Sequence, residues 1–216
     1  MVENIQTKTK TQTAVGFKDN ERLFGFDAMQ KKARFPKQVF SYMHDFLGKS
    51  IKDNDVKKFM ENYFISYDMQ DNNDTSTIEF KVNFNGVATT FRTEEIYGMI
   101  FRYIKYLADK FSNDNIRDCV ITVPAFFGYK EKAALENAVE MTGLNLLAFV
   151  NENVAGAVHY FLDKKINVTQ NMIFYNMGSS YTQAALIHFS NDIEDNIEHK
   201  RINVLKNIIK FFIGFS

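Results

Sequence analysis

Residues 173–187, IFYNMGSSYTQAALI, read as two apolar strands joined by a small polar turn that contains Gly178, Ser179 and Ser180. Such a turn can wrap a phosphate, because successive backbone N–H groups converge on an anion and glycine permits close approach. A magnesium-dependent phosphate site would want a carboxylate at the entry to the turn, and Asn176 stands there instead. An ordinary tight hairpin accounts for the same residues. Cys119, the only cysteine, lies in the apolar run DCVITV. It has no disulfide partner in the chain, no Cys/His cluster suggests zinc, and its expected role is that of a small buried hydrophobe.

The elements that must hold this hairpin alternate in type. Residues 119–123, CVITV, predict a buried strand that leads through Pro124 to a helix over 129–142, stopped by Gly143. LLAFV (146–150) predicts a second strand, followed by a helix from about 153 to 162 and the hairpin strands at 172–175 and roughly 182–189. Strand, helix, strand, helix, hairpin is an α/β signature.

Shorter pieces precede it. TAVGFKDNERLFG predicts a strand, a polar turn at 18–22 and a second strand. Residues 27–49 predict two helical pieces, broken where Pro36 disfavours helix at Phe35, with Gly48 as a stop. Residues 65–91 hold alternating runs, and Asn85-Gly86 is a strong hairpin signal, so an antiparallel patch is expected. Thr93 opens the clearest helix, with Glu94 and Glu95 in its first turn. Ile96, Ile100, Ile104, Leu107 and Phe111 recur at helical spacing as a core-facing stripe. After Ser190 the tail is charged, then rich in Ile, Asn and Lys, and supports no assignment.

A chain of 216 residues is long enough for one or two domains with a sizeable core. Lys+Arg and Asp+Glu balance at 26 each, which removes the electrostatic case for a general nucleic-acid or anionic-membrane binder. The opening MVENIQTKTKTQTAV lacks the apolar core of a signal peptide. The closing NIIKFFIGFS is short and interrupted by Lys210, so no membrane span is expected there. Taken as complete, the sequence reads as cytoplasmic.

At this point the residues carry a resemblance. VITVPAFFGYKEKAALENAVEMTGLNLLAFVNENVAGAVHY resembles the stretch of the heat-shock protein 70 superfamily that runs from a VPA-aromatic-Phe strand end through a helix to a GL turn and an INEP-like corner. IFYNMGSSYT is similar to the second phosphate hairpin of that superfamily, usually written with an Asp and three glycines. NERLFGFDAMQKKARFPKQVFSYMHDFLGK and FRTEEIYGMIFRYIKYLADKF resemble two further stretches of the same nucleotide-binding domain, and the likeness runs in order over about residues 13–190.

The resemblance implies an α/β fold: a partial actin-like (ribonuclease H-like) ATPase domain, with most of the first lobe plus the first hairpin of the second. Residues 1–168 would be the first-lobe portion, with a peripheral subdomain at 17–93. Residues 169–190 would start the second lobe, and 191–216 stay an unassigned tail. The chain would begin just after the first phosphate hairpin and end before the adenine-binding part. The implied cofactors are ATP or ADP with Mg. The implied function is the ATP-binding part of a chaperone in protein folding and stress response. Its partners would be unfolded polypeptides, through a domain absent here, and a conventional heat-shock protein 70 chaperone. An alternative is a non-catalytic module that assists nucleotide exchange on such a chaperone. Within the superfamily the likeness is to a large, divergent endoplasmic-reticulum branch, which implies the lumen of that compartment.

Site residues carry over position by position. Gly178, Ser179, Ser180, Tyr181 and Asn176 are the implied cofactor-binding residues. Tyr181 stands where the family usually has Thr, and Asn176 and Gln183 stand where it has Asp residues facing magnesium and its waters. Glu152 matches a carboxylate near the metal's water shell, and His44 aligns with a catalytic Lys; these two are the catalytic candidates. Pro124 and Lys132 align with a proline switch and a basic residue that relay nucleotide state to a partner domain. With two charges replaced by amides and a Lys by His, no metal ligand is assigned and weak hydrolysis is expected.

Overall fold

Aromatic side chains build the first core. The computed structural model describes residues 1–63, 65–164, 168–178, 181–194 and 197–211, and the chain divides into two units: Met1–Cys119 with Gly128–Leu147, and Val120–Phe127 with Ala148–Ser216.

In the first unit, strands β1 (Ala14–Lys18) and β2 (Glu21–Phe24) form the expected hairpin. Helix α1 (Gly25–Lys32) packs Ala28 against Ala14 of β1 and against Val39. Strand β3 (Val39–Ser41) pairs with the other edge of β1, giving the order β2-β1-β3. A 3-10 turn at Met43–Asp45 and helix α2 (Asn54–Tyr63) follow. A second sheet has the order β4 (Met69–Asp71), β5 (Ile78–Phe84), β6 (Val87–Arg92). Its β5–β6 turn puts Asn85 and Gly86 at φ 57° and 72°, the left-handed pair an Asn-Gly hairpin demands. Helices α3 (Thr93–Ser112) and α4 (Tyr129–Glu140) complete the unit. The Glu95 carboxylate caps α3 by accepting from Arg92 N at 2.7 Å, and Glu131 does the same for Gly128 N ahead of α4 at 3.0 Å. Phe17, Phe40, Phe46, Phe80, Met43, Ile78 and Ile96 are buried together between the sheets and α3.

Two expectations need correction here. The second helical piece after Pro36 is not a helix: Val39 and Phe40 extend as β3 and bury against β1, and only three residues then coil. An edge of β1 without a partner is a stronger demand than local helical spacing. The α3 stripe is also shorter than its periodicity suggests. Ile96, Ile100 and Leu107 are buried, but Ile104 is 44% and Phe111 62% exposed.

Gly48 follows the 3-10 turn at φ +67°, and a Cβ there would lie 2.7 Å from the Lys130 carbonyl oxygen. Gly48→Ala is therefore expected to destabilise the chain by about 1–3 kcal/mol through left-handed strain, with backbone overlap added. A melting temperature unchanged from the parent would contradict this close approach.

In the second unit, β9 (Gln170–Met177), β10 (Tyr181–Glu194) and β11 (Ile197–Phe211) form an antiparallel sheet in the order β11-β10-β9. Of the tail left unassigned, residues 191–194 continue β10 and 197–211 form the long strand β11, paired along β10 with a register shift between Leu186 and Ile187. Helix α5 (Glu152–Lys164) lays Ala157 and Phe161 on Ala185, Ile187 and Phe189 of β10, with the Phe161 and Phe189 rings stacked at 5.3 Å. Strands β7 (Asp118–Val123) and β8 (Asn145–Asn151) pair as a two-stranded sheet, and the chain passes from one unit to the other within them. Among the described residues β7 has one neighbouring strand, so it is not the buried strand expected: Val123 is covered and Val120 is exposed. Cys119 is half-buried, and burial followed by the Asp118 charge pushes its thiol pKa up, consistent with an inert side chain. No helix among the described residues is long and apolar enough to cross a membrane.

Candidate functional site

Alternation along β10 creates the site. Tyr181, Gln183, Ala185, Ile187 and Phe189 are two residues apart and share one face. The last three are the apolar floor for α5, whereas the first two present polar groups where that helix begins. The first residue of α5 is Glu152, set immediately after β8. The Asn151 side-chain oxygen accepts from Asn153 N at 2.9 Å and fixes this first turn.

Both oxygens of the Glu152 carboxylate accept hydrogen bonds. Tyr181 donates its hydroxyl to Oε1 and Oε2 at 3.0 and 3.1 Å, and Gln183 donates Nε2 to Oε2 at 2.6 Å. The other end of the Gln183 amide accepts from the Ala125 backbone N–H at 3.0 Å. Gln183 is completely buried, so its amide orientation is dictated by these two partners. The Phe126 ring meets Tyr181 edge-on at 5.1 Å and 85°. Hydrogen bonds to a charged acceptor contribute about 1.5–3 kcal/mol each, so this network fastens the start of α5, strand β10 and the loop after Pro124 to one another. Pro124 is buried, and its carbonyl accepts from Phe127 N at 3.1 Å to close a tight turn.

The hairpin turn differs from a glycine-dependent cradle. Gly178 does not occupy the left-handed region, and a Cβ on it would meet the Tyr181 carbonyl at an ordinary 3.4 Å. Its N–H donates to that carbonyl at 3.0 Å and so serves the hairpin. Ser179 and Ser180 lie outside the described residues. Asn176 is exposed on β9, directly opposite Gln183 and thus on the same face.

His44 and Lys132 belong to the first unit. Lys132 is half-buried in the first turn of α4, where its N–H donates to the Gly128 carbonyl at 3.2 Å. His44 lies in the 3-10 turn rather than on a helix, with Nε2 3.0 Å from Asp45 Oδ2. Burial, aided by the Lys49 charge, lowers the His44 pKa to about 4. Burial raises the Asp45 pKa to about 7 against the pull of Lys49. At neutral pH His44 is an uncharged imidazole, which cannot supply the fixed cation of a lysine.

The structure thus joins Glu152, Tyr181 and the loop after Pro124 through Gln183, whose residue type by itself marks only a missing carboxylate. Gln183 as a two-ended amide clamp, with Ala125 and Phe126 beside it, goes beyond what the sequence predicts. The available signal was the two-residue spacing of Tyr181 and Gln183 at the polar end of an apolar strand face.

Comparison with known proteins yields one family model, described as Hsp70 protein, matching residues 1–195. Hypoxia up-regulated protein 1 of Xenopus laevis is 36% identical over 192 residues, covering 88% of this chain and 29% of that protein. The Xenopus tropicalis protein of the same name is 37% identical over the same shares of both chains. Heat shock 70 kDa protein 17 of Arabidopsis thaliana is 34% identical over 177 residues, covering 82% of this chain and 20% of its own length. The chain therefore spans less than a third of the length of these relatives.

Proposed function

The chain belongs to the Hsp70 family, and from that premise we propose that it is the adenine-nucleotide-binding part of an Hsp70-type chaperone in which hydrolysis of ATP is slow. The ATPase domain of this family is actin-like, and the mixed α/β architecture with several sheets agrees with a portion of it. The observation that carries the reading is the β9–β10 hairpin with Glu152 held at its turn end, in the family's chain order. Gly178, Tyr181 and Asn176, with Ser179 and Ser180, are the proposed nucleotide-side residues, and Pro124 and Lys132 the proposed relay to a partner domain. Unfolded polypeptides are the proposed clients of the longer protein, acting in protein folding and stress response, and the endoplasmic-reticulum lumen is its proposed location.

The Hsp70 family binds ATP and ADP with magnesium. The donors present here do not fit that ion. Asn176 and Gln183 carry no charge, and the one carboxylate, Glu152, already accepts from Tyr181 and Gln183. Among the described residues no group of three or more His, Cys, Asp or Glu side chains is placed to hold a metal. Two unit charges about 4 Å apart interact by roughly 4 kcal/mol at an effective dielectric near 20, so replacing Asp by an amide removes a large electrostatic contribution to phosphoryl transfer.

This same network favours a second reading, in which the chain is a non-catalytic partner that speeds nucleotide exchange on a conventional Hsp70 chaperone. Both readings are tested together. ADP and ATP binding would be measured by calorimetry, ATP turnover by phosphate release, and ADP release from a conventional Hsp70 with and without the chain. The first reading expects nucleotide binding with turnover near background. Absence of binding overturns it, and accelerated ADP release in that case establishes the second. Turnover lost in Glu152→Gln would contradict slow hydrolysis in both.

A further inference from the structure

We propose that Glu152 is the hub of an internal clamp that takes the place of a metal: Tyr181 and Gln183 engage both oxygens of its carboxylate, compete with magnesium for it, and tie the loop after Pro124 to strand β10. The arrangement is built from both ends. Three hydrogen-bond distances from two side chains, 3.0, 3.1 and 2.6 Å, converge on the two carboxylate oxygens. Gln183 has no exposed surface, so it cannot turn away to water without abandoning both Glu152 and Ala125 N. Phe126 against the Tyr181 ring adds an apolar contact to the same loop.

A hard divalent cation prefers octahedral oxygen ligands at about 2.0–2.1 Å and keeps several waters. To admit one here, Glu152 must release its donors, and the buried Gln183 amide would lose its partner. The cost falls on any ligand that needs this carboxylate. A ligand that does not need it meets a preformed, rigid corner. Tyr181 and Gln183 are positioning residues in this account: they act by holding Glu152 and the Ala125 amide.

The inference rests on the geometry of the second unit and holds whether or not nucleotide binds, so its test uses no nucleotide. Melting of the full chain would be followed at rising MgCl2 against NaCl of matched ionic strength. Hydrogen exchange at the Ala125 amide would be compared among the parent, Tyr181→Phe and Gln183→Leu. The expected result is no magnesium-dependent shift in the parent and roughly tenfold faster Ala125 exchange in Gln183→Leu, since one lost hydrogen bond of about 1.4 kcal/mol changes an opening equilibrium tenfold. Tyr181→Phe keeps the ring against Phe126 and removes only the hydroxyl, so it stays informative if the Gln183 variant misfolds. In it Gln183 still bridges Glu152 and Ala125, so a lower melting temperature with Ala125 exchange near the parent rate is expected, and an unchanged melting temperature would overturn the part assigned to Tyr181. A magnesium-dependent rise in the parent that Glu152→Gln abolishes overturns the competition, and unchanged Ala125 exchange in a folded Gln183→Leu chain overturns the clamp.

Discussion

Phe40→Ala is expected to lower the melting temperature of the chain by on the order of 10 °C. Phe40 is completely buried on β3, with its ring centroid 5.9 Å from Phe17, 5.0 Å from Tyr67 and 5.2 Å from Phe80. Truncating such a residue loses transfer free energy and leaves a cavity, about 3–5 kcal/mol together for Phe to Ala. At about 2–4 °C per kcal/mol for a chain of this size, differential scanning fluorimetry resolves the change easily. The three ring partners come from β1, β5 and the segment before β4, so the cavity would loosen both sheets of the unit. A control at the exposed Phe111, 62% accessible, is expected to move the transition little. Equal effects of the two substitutions would mean that β3 does not anchor the core as described.

Asp45→Asn is expected to stabilise the chain at pH 8 by up to ~3–4 kcal/mol, with an advantage that shrinks as pH falls toward 4. The Asp45 pKa is raised from 3.8 to about 7, so its favourable contribution is complete below the unfolded value and is lost as pH rises through 7. His44 runs the other way. Its pKa is lowered from 6.5 to about 4, so its contribution is present above 6.5 and is lost as pH falls through the window down to 4. Between those limits the folded chain holds one proton on Asp45 while the unfolded chain holds one on His44. Their slopes cancel, and this pair gives the parent a nearly flat stability profile from about pH 4.5 to 6.5. Removing Asp45 leaves the His44 slope exposed. Melting curves of the parent and Asp45→Asn at pH 4.5, 6 and 8 separate the cases, and parallel profiles would show that the two groups are not held neutral by burial.

Much of the scaffold was legible in local chemistry. Asn85-Gly86 demanded its left-handed turn, Gly143 closed α4 at φ +73° as a stop, and the order of β7, α4, β8, α5 and the hairpin followed from alternating patterns with punctuation between them. Helix α2 carries a helical signature too, since Val56, Phe59 and Met60 stand three and four apart and pack on the aromatic core. These features depend on neighbours within a few residues, which a sequence displays directly. It likewise determined the chemical content of the site: two amides and a tyrosine in the hairpin, where charge and small residues would favour metal-assisted chemistry, and one glutamate at the start of α5.

Only the tertiary structure decided how those groups are used. That Val39 and Phe40 extend rather than coil depends on the open edge of β1, more than twenty positions upstream, and that Ile104 lies exposed between the buried Ile100 and Leu107 depends on which partners the fold brings to each face of α3. Gln183, Tyr181, Glu152 and Ala125 converge across separations of 29, 31 and 58 positions. Residue types told what each group could donate or accept, but hydrogen-bond satisfaction in a buried place is a property of the assembled partners. Folding therefore turned an apparent loss of charge into a closed network around one carboxylate.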